Sequence, residues 1–314
     1  MKLLALLIGI YAERYLARWS HLREFRGLEE QANQLAQRLL RLDKRAAPYI
    51  VAGLTLACAV PVGIIAWLLR DDWMIAWFVF AVILLLFSFG PRDLKAEALA
   101  FHDKADAGDE DGARAQAEVI LGGSAPDKPK DQAAAVEEAT YREANNRIFG
   151  VIFWFLVAGP LGPAFAFGFR ALNSLRRFTA TLPGGEELHR AAVKLHGVVA
   201  WVPARITSAS FALAGNFDDA VNAWRGISAD QQPNLFEGSG AVLSVVGAQA
   251  LGDRPDRVRG AVVLVERSLH WVWGPIVAVA VILGVVYSGE GVTPRRRRDD
   301  ARVMPSLPRV RIYG

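Results

Sequence analysis

The residues best suited to chemistry flank one apolar stretch in the middle of the chain. Glu143, Asn146 and Arg147 come directly before this stretch, and Asn173 follows it. Guanidinium and amide groups beside a broken apolar helix suit an anionic ligand, and Glu143 has the chemistry of a general base or a metal ligand. The alternative is that these groups cap a helix and anchor it at the membrane surface. The sequence leaves both interpretations open.

The apolar stretch at 148–169 has about 22 residues, which is the length of a membrane-spanning helix. The sequence GPLGP occupies 159–163, and its prolines remove backbone donors and kink or break a helix. The freed carbonyl groups need neighbouring helices or water to satisfy them. We therefore expect this broken helix inside a bundle rather than alone in lipid.

A further candidate, Arg205, lies within the apolar stretch 195–214. A charge at the centre of a membrane span is costly unless it faces a partner or water. Arg205 is therefore either a functional residue that binds an anion or part of an interfacial helix that does not span. The sequence does not decide between these two hypotheses.

Composition indicates the class of protein. Of 314 residues, 53% are hydrophobic and 22% are charged, so membrane spans and polar loops must be mixed. We predict an all-α, multi-pass integral membrane bundle of about four to five spans with a helical cytoplasmic loop subdomain. The single cysteine, Cys58, excludes an intrachain disulfide. No metal site, cofactor or nucleic-acid partner is predicted, and the lipid bilayer is the expected partner.

The chain divides into five regions by composition. We predict N-terminal amphipathic and basic helices (1–47), a transmembrane hairpin (48–90), a polar helical loop (91–147), the remaining membrane bundle with interfacial helices (148–287), and a basic, disordered tail (288–314).

Four spans give the simplest topology, at 49–69, 73–89, 148–169 and 271–287. This topology places both termini and the basic tail in the cytoplasm, but it leaves 170–267 outside, which conflicts with Arg176, Arg177 and Arg190. A fifth span at 195–214, balanced by a re-entrant or non-spanning central segment, removes the conflict.

Several segments resemble known families. They are AERY at 12–15, NNRIFGVIFWFLVAGPLGP at 145–163, RALNSLRR at 170–177, AWVPARITSASFALAG at 200–215 and the pair AW at 223–224. Together they resemble the AmpE family, inner-membrane proteins implicated in regulating β-lactamase induction. That family is similar in turn to the CobD/CbiB family of cobalamin biosynthesis. On this resemblance, the family-motif residues are Glu13, Arg14, Trp201, Pro203 and Arg205.

The resemblance to AmpE implies a regulatory protein of the bacterial inner membrane that senses the cell envelope. A cell-wall-derived ligand or a protein partner would then be expected. The resemblance to CobD/CbiB implies instead an enzyme that attaches an aminopropanol-type amine to a corrinoid carboxylate with ATP.

The chain departs from the CobD/CbiB pattern at acidic positions. Where that pattern has a Glu-Asn and Asp-Gly pair before the central helix, this chain has EANNR at 143–147 and FG at 149–150; where it has Asn-Thr-Leu-Asp, this chain has NSLR at 173–176. A metal-bound triphosphate needs carboxylates. We therefore expect the AmpE-like regulatory role without catalysis, with the CobD/CbiB-like enzyme as the alternative. Asn234 joins the ligand-binding candidates because the Pro-Asn turn before Gly238 resembles the corrinoid family's turn.

Overall fold

The computed structural model describes residues 46–89, 94–230 and 238–279, and within these ranges the regular elements are all helical. This confirms the predicted all-α membrane bundle. The predicted basic helices up to residue 45 and the tail at 288–314 lie outside the described residues. We label the α-helices in chain order: α1 Ala47–Asp72, α2 Met74–Phe89, α3 Leu94–Asp106, α4 Glu110–Leu121, α5 Pro129–Ala144, α6 Gly150–Val157, α7 Gly162–Ala180, α8 Glu186–Ala214, α9 Phe217–Asp230, α10 Ser239–Leu251 and α11 Arg257–Arg267.

Four segments within the described ranges are long and apolar enough to cross a membrane: Ala47–Arg70, Ile75–Asp106, Glu186–Ala214 and Arg257–Val279. Residues 90–93, inside the second segment, lie outside the described residues. The first two segments agree with the predicted transmembrane hairpin. The third contains the optional fifth span at 195–214, and the fourth overlaps the predicted span at 271–287.

The central apolar stretch is a helical hairpin, so the broken spanning helix at 148–169 of the four-span topology is wrong, and the structure agrees with the re-entrant or non-spanning alternative. A π-helical turn at Asn145–Phe149 leads into α6, which has eight residues and rises about 12 Å, less than half of the hydrocarbon core. Gly159 then adopts a φ of +58°, a left-handed conformation that glycine accepts without steric cost. The chain turns back through Gly159–Leu161 and continues as α7.

Helix α7 packs antiparallel to α1 in the bundle. Leu172, in the second half of α7, shares a buried cluster with Ala47 and Val51 at the start of α1. Ala164, at the start of α7, lies near Gly63, in the second half of α1. This packing fixes the arginine-rich end of α7 beside the beginning of the first candidate span.

The polar subdomain consists of α3, α4 and α5 and has its own core. Phe101, Ile120 and Val136 are fully or almost fully buried there, and Val258 and Val262 of α11 pack into the same cluster. Helix α11 therefore completes the core of a subdomain whose other helices come from an earlier part of the chain.

Candidate functional site

Glu143, at the end of α5, lies at the centre of a group of buried charges. Its carboxylate accepts a hydrogen bond of 2.7 Å from Arg147 Nε, and Arg177 Nη1 lies 3.0 Å away. Arg176 Nη2 and Asn146 Nδ2 each donate to Oε1 at 3.3 Å. The Glu143 and Arg147 side chains are 7% and 6% exposed, so these ion pairs are largely shielded from water.

A second carboxylate, Glu97, comes from α3. It accepts a hydrogen bond of 2.8 Å from Arg147 Nη1, and both side chains are buried. Glu97 lies on the buried face of α3 together with Leu94, Ala98 and Phe101. Arg147 therefore joins two carboxylates from different helices and holds α3 against the end of α5.

Arginines outnumber glutamates in this group. We use the term arginine–glutamate cluster for Glu97, Glu143, Arg147, Arg170, Arg176 and Arg177. Four guanidinium groups against two carboxylates leave two positive charges without compensation inside the cluster. The cluster therefore has the electrostatics of an anion-binding site.

Arg170 accounts for one of the uncompensated charges. It is partly buried on α7 and has no hydrogen-bond or ion-pair partner among the residues that the structure describes. Burial, together with the charges of Arg147 and Arg177, lowers the pKa of Arg170 to about 10, although Glu143 and Glu97 act in the opposite direction. Arg170 still carries its charge at neutral pH and is available to an anionic group.

Glu143 is held in its ionised form. Burial alone would raise the pKa of its carboxyl, but Arg147, Arg177 and Arg176 oppose this and bring the pKa below its ordinary value. A carboxylate stabilised in this way is a weak proton acceptor at neutral pH, because a general base works best with a pKa near the working pH. In this structure Glu143 orients arginines, which differs from the role of base or metal ligand considered from the sequence.

Buried hydrogen-bond donors without acceptors accompany the cluster. Asn173 accepts hydrogen bonds from Arg176 at 2.9 and 3.2 Å through Oδ1, and Asn145 Oδ1 accepts one of 3.0 Å from Thr207. The amide nitrogens of Asn173 and Asn145 are buried and have no hydrogen-bond partner among the described residues, and the same holds for Nε2 of His196, which is a donor or an acceptor according to its tautomer. Buried polar groups are almost always hydrogen-bonded in native proteins. The two amide nitrogens are therefore free to donate to a group that offers acceptor oxygens.

Some of the sequence-predicted residues lie in the cluster, some lie outside the described residues, and Arg205 lies elsewhere on α8. Glu143, Asn146 and Arg147 interact directly in the cluster, and Asn173 joins it through Arg176. Their ligand-binding role stays a prediction. Glu13, Arg14 and Asn234 lie outside the described residues.

Arg205 lies apart from the cluster, on α8. Its guanidinium carbon is 4.0 Å from the ring centroid of Trp201, and its Nη1 donates a hydrogen bond of 3.2 Å to the Trp201 carbonyl oxygen. Pro203 is buried in the same helix. Trp201 and Arg205 of this motif thus interact with each other, one helical turn apart.

Sequence reasoning missed Glu97 and Arg170 as site residues. Glu97 lies far from Glu143 in the sequence, and the available signal was a glutamate at helical spacing on the apolar face that includes Leu94 and Phe101. Arg170 directly follows the apolar stretch 148–169 in the sequence. Only the folding of that stretch into a hairpin places Arg170 near Glu143.

A second ion pair secures the helices around the cluster. Glu137 Oε2 and Oε1 accept hydrogen bonds of 2.6 and 2.7 Å from Arg257 Nε and Nη2. Tyr141 donates a hydrogen bond of 3.3 Å to Glu137 Oε1. This bidentate pair ties α11 to α5 one to two turns before Glu143.

Comparisons with known proteins place the chain in a family. The family model described as CobD/Cbib protein matches residues 6–254. The chain is 27% identical over 246 residues to the cobalamin biosynthesis protein CobD of Stutzerimonas stutzeri, covering 71% of this chain and 78% of that protein. It is 25% identical over 237 residues to the cobalamin biosynthesis protein CobD of Chromobacterium violaceum, covering 66% and 72%. No solved structure matches.

These matches overturn the main functional expectation from the sequence. The AmpE-like regulatory role, with its link to β-lactamase induction and antibiotic response, has no support among them. The segments taken as AmpE-like all lie within residues 6–254, the range that the CobD/CbiB model matches. With the family model matching most of its length, the chain belongs to the CobD/CbiB family.

Proposed function

We propose that this protein is a CobD/CbiB-like enzyme of the bacterial inner membrane that forms an amide between a corrinoid carboxylate and an aminopropanol-type amine with ATP. Family membership and the name shared by the two curated relatives support this role. We also propose that the basic tail at 295–298 faces the cytoplasm, because positive residues are retained on that side.

The observation that carries the proposal is the excess of positive charge in the arginine–glutamate cluster. A carboxylate and an amine form an amide only when the carboxylate is activated, and activation by ATP places negative charge on carboxylate and phosphate oxygens. Guanidinium groups that are fixed in a site of low water content stabilise such charge strongly. Arg170, which has no partner among the described residues, and the amide nitrogen of Asn173, one turn away, are suited to bind these oxygens.

The donor set of the cluster does not fit a metal ion. Glu143 and Glu97 are each paired with arginine, and the described residues contain no group of three or more acidic, histidine or cysteine side chains able to hold a metal. Mg²⁺ requires oxygen ligands in near-octahedral geometry. We therefore propose that the arginines, and not a protein-bound metal ion, neutralise the phosphate charge.

The test uses full-length protein purified in detergent. A corrinoid acid, Mg-ATP and an aminopropanol-type amine are added singly and together. We expect the corrinoid acid and Mg-ATP each to raise the melting temperature, because a ligand that binds only the native state stabilises it. With all three present, we expect mass spectrometry to detect the amide together with consumption of ATP.

Two variants distinguish the loss of a charge in the cluster from the loss of a positive charge elsewhere on the protein. Arg170→Gln removes a charge that has no ion-pair partner among the described residues, so we expect it to fold and to bind the anionic ligands about tenfold more weakly, the value of one charge-assisted hydrogen bond. Arg225→Gln changes an exposed arginine of α9 and serves as the matched control. Binding of the corrinoid acid without amide formation would restrict the protein to corrinoid binding. The absence of any shift with the corrinoid acid would overturn the proposed function.

A further inference from the structure

Helix α8 contacts both sides of the hairpin formed by α6 and α7. Near its start, His189 Nδ1 lies 3.2 Å from the backbone oxygen of Arg176, close to the end of α7. Further along, Thr207 Oγ1 donates a hydrogen bond of 3.0 Å to Asn145 Oδ1, before the hairpin. The helix rises about 27 Å between His189 and Thr207.

These two contact points lie at the same end of the hairpin. Arg176 Nη2 is 3.3 Å from Oε1 of Glu143, which closely precedes Asn145. A helix that ran along the hairpin from base to tip would leave Arg176 and finish beside the turn Gly159–Leu161. Helix α8 instead meets the base of the hairpin at both points, so it extends across the base.

The far end of α8 also lies beside the polar subdomain. Phe211 packs against Tyr141 of α5, with ring centroids 5.5 Å apart. Just beyond α8, the backbone nitrogen of Asn216 donates a hydrogen bond of 2.7 Å to the carbonyl oxygen of Ala250 in α10. Gly247 of α10 lies against the same Tyr141 ring. Both ends of α8 therefore meet elements that surround the arginine–glutamate cluster.

The outer face of α8 is apolar over most of its length. Val198, Val202, Ile206 and Leu213 recur on one side of the helix, and each is between 37% and 63% exposed. We call these residues the apolar stripe of α8. Arg190 and Lys194 are exposed near the start of the helix, and Arg205 lies beside the stripe against Trp201. An apolar stripe edged by cations and tryptophan is typical of a helix that lies in the membrane interface.

We propose that α8 lies along the surface of the bilayer and does not cross it. The apolar stripe contacts the acyl region, and Arg190, Lys194 and Arg205 reach the phosphate groups of the lipids. Helix α8 is long and apolar enough to span the membrane. However, both of its ends contact the base of the hairpin, which lies on one side of the membrane. The segments before and after α8 therefore share that side with the polar subdomain.

Single-cysteine labelling tests this arrangement in the full-length protein. The background is Cys58→Ser, which removes the only native cysteine. Glu186→Cys places an exposed thiol at the first residue of α8, and Asn222→Cys places one after α8, in α9. Asp111→Cys marks the polar subdomain, and Trp73→Cys marks the turn between α1 and α2. A membrane-impermeant maleimide is applied to spheroplasts and to inverted membrane vesicles.

We expect the Glu186→Cys, Asn222→Cys and Asp111→Cys variants to label in the same preparation and the Trp73→Cys variant to label in the other. Labelling of Glu186→Cys and Asn222→Cys in opposite preparations would show that α8 crosses the bilayer and would overturn the proposal. Labelling of both on the side of Trp73→Cys would also overturn it, because the segments flanking α8 would then lie opposite the polar subdomain.

Depth measurements give a second, independent test. Nitroxide labels are attached through Val198→Cys and Ile206→Cys in the same background, and the protein is reconstituted in phosphatidylethanolamine and phosphatidylglycerol vesicles. Relative accessibility to oxygen and to a water-soluble nickel complex reports depth. We expect the same shallow depth at both positions and a greater depth for Ile64→Cys in α1. A difference of about 12 Å between positions 198 and 206, the rise of a helix along the membrane normal, would contradict the proposal.

Discussion

Glu143 Oε2 and Arg177 Nη1 lie 3.0 Å apart although the whole central apolar stretch separates them in the sequence. An ion pair of this length requires both ends of the stretch to be on the same side of the membrane. The same pair brings the polar end of α5 and the basic end of α7 into the arginine–glutamate cluster. The Glu143 carboxylate therefore contributes both to the hairpin arrangement of the central stretch and to the arginine–glutamate cluster.

Replacing Glu143 should destabilise the protein strongly. Glu143→Gln removes the carboxylate that pairs with Arg176 and Arg177 and leaves Arg147 with Glu97, and removal of one partner from a buried ion pair costs about 3 to 5 kcal/mol. Denaturant unfolding in detergent measures this cost. The control, Glu118→Gln, changes a side chain that is 45% exposed and should cost less than about 1 kcal/mol. Equal effects of the two substitutions would argue against a buried, coupled cluster.

Stability should fall in acid because of the same residue. The folded state holds the pKa of Glu143 below its ordinary value of 4.5, so the stabilisation is complete above that pH and is lost as the pH decreases towards the folded pKa. We expect the wild-type melting temperature to fall below about pH 4.5, and to fall less steeply in Glu143→Gln. Melting curves from pH 3 to 7 test this, and parallel pH profiles of the two proteins would contradict it.

The hairpin should tolerate no side chain at Gly150. A Cβ atom there would overlap the ring of Phe169 and the backbone oxygen of Asn145, whereas nothing lies within 4 Å of a Cβ at Gly53 in α1. We expect Gly150→Ala to cost about 1 to 3 kcal/mol and Gly53→Ala to be neutral or slightly stabilising, because alanine favours helix. Unfolding of both variants in detergent measures the difference. A neutral Gly150→Ala would mean that α6 and α7 do not pack closely at this point.

The pair formed by Glu137 and Arg257 should stabilise the contact between α5 and α11. A double-mutant cycle of Glu137→Gln and Arg257→Gln should give a coupling energy of about 0.5 to 3 kcal/mol. Since the Arg257 side chain is 40% exposed, we expect a value in the lower half of that range. The bidentate geometry predicts that Arg257→Lys does not restore the coupling. Full restoration by lysine would indicate a simple charge interaction.

The membrane class and the helical hairpin of α1 and α2 could be predicted from the sequence because long apolar runs have few alternatives in lipid. The break at 159–163 was also predictable, since proline and glycine act locally. The sequence could not predict whether the chain continues or turns back at this break. That depends on the pairing of Glu143 with Arg176 and Arg177, which are distant in the sequence.

The candidate site was predictable only where its residues are close in the sequence. Glu143, Asn146 and Arg147 follow one another at helical spacing and were found. Glu97 belongs to another helix, and its charge looked like one of many on a polar segment. Arg205 shows the opposite case. Its charge inside an apolar run made it a candidate from the sequence, but in the structure its guanidinium group lies against Trp201. Local patterns identify unusual residues, whereas long-range pairing decides which of them act together.

Because α11 contributes to the core of the polar subdomain, this core can be completed only after α11 has been translated. Val258 and Val262 pack with Phe101 and Val136, so the helices α3 to α5 leave the ribosome long before their core is complete. Until α11 is synthesised, the apolar surface around Phe101 has no cover from this part of the chain. The subdomain therefore reaches its final packing only after the first hairpin and the central hairpin have been made. A nascent chain truncated before Val258 should be a preferred target for chaperones and proteases.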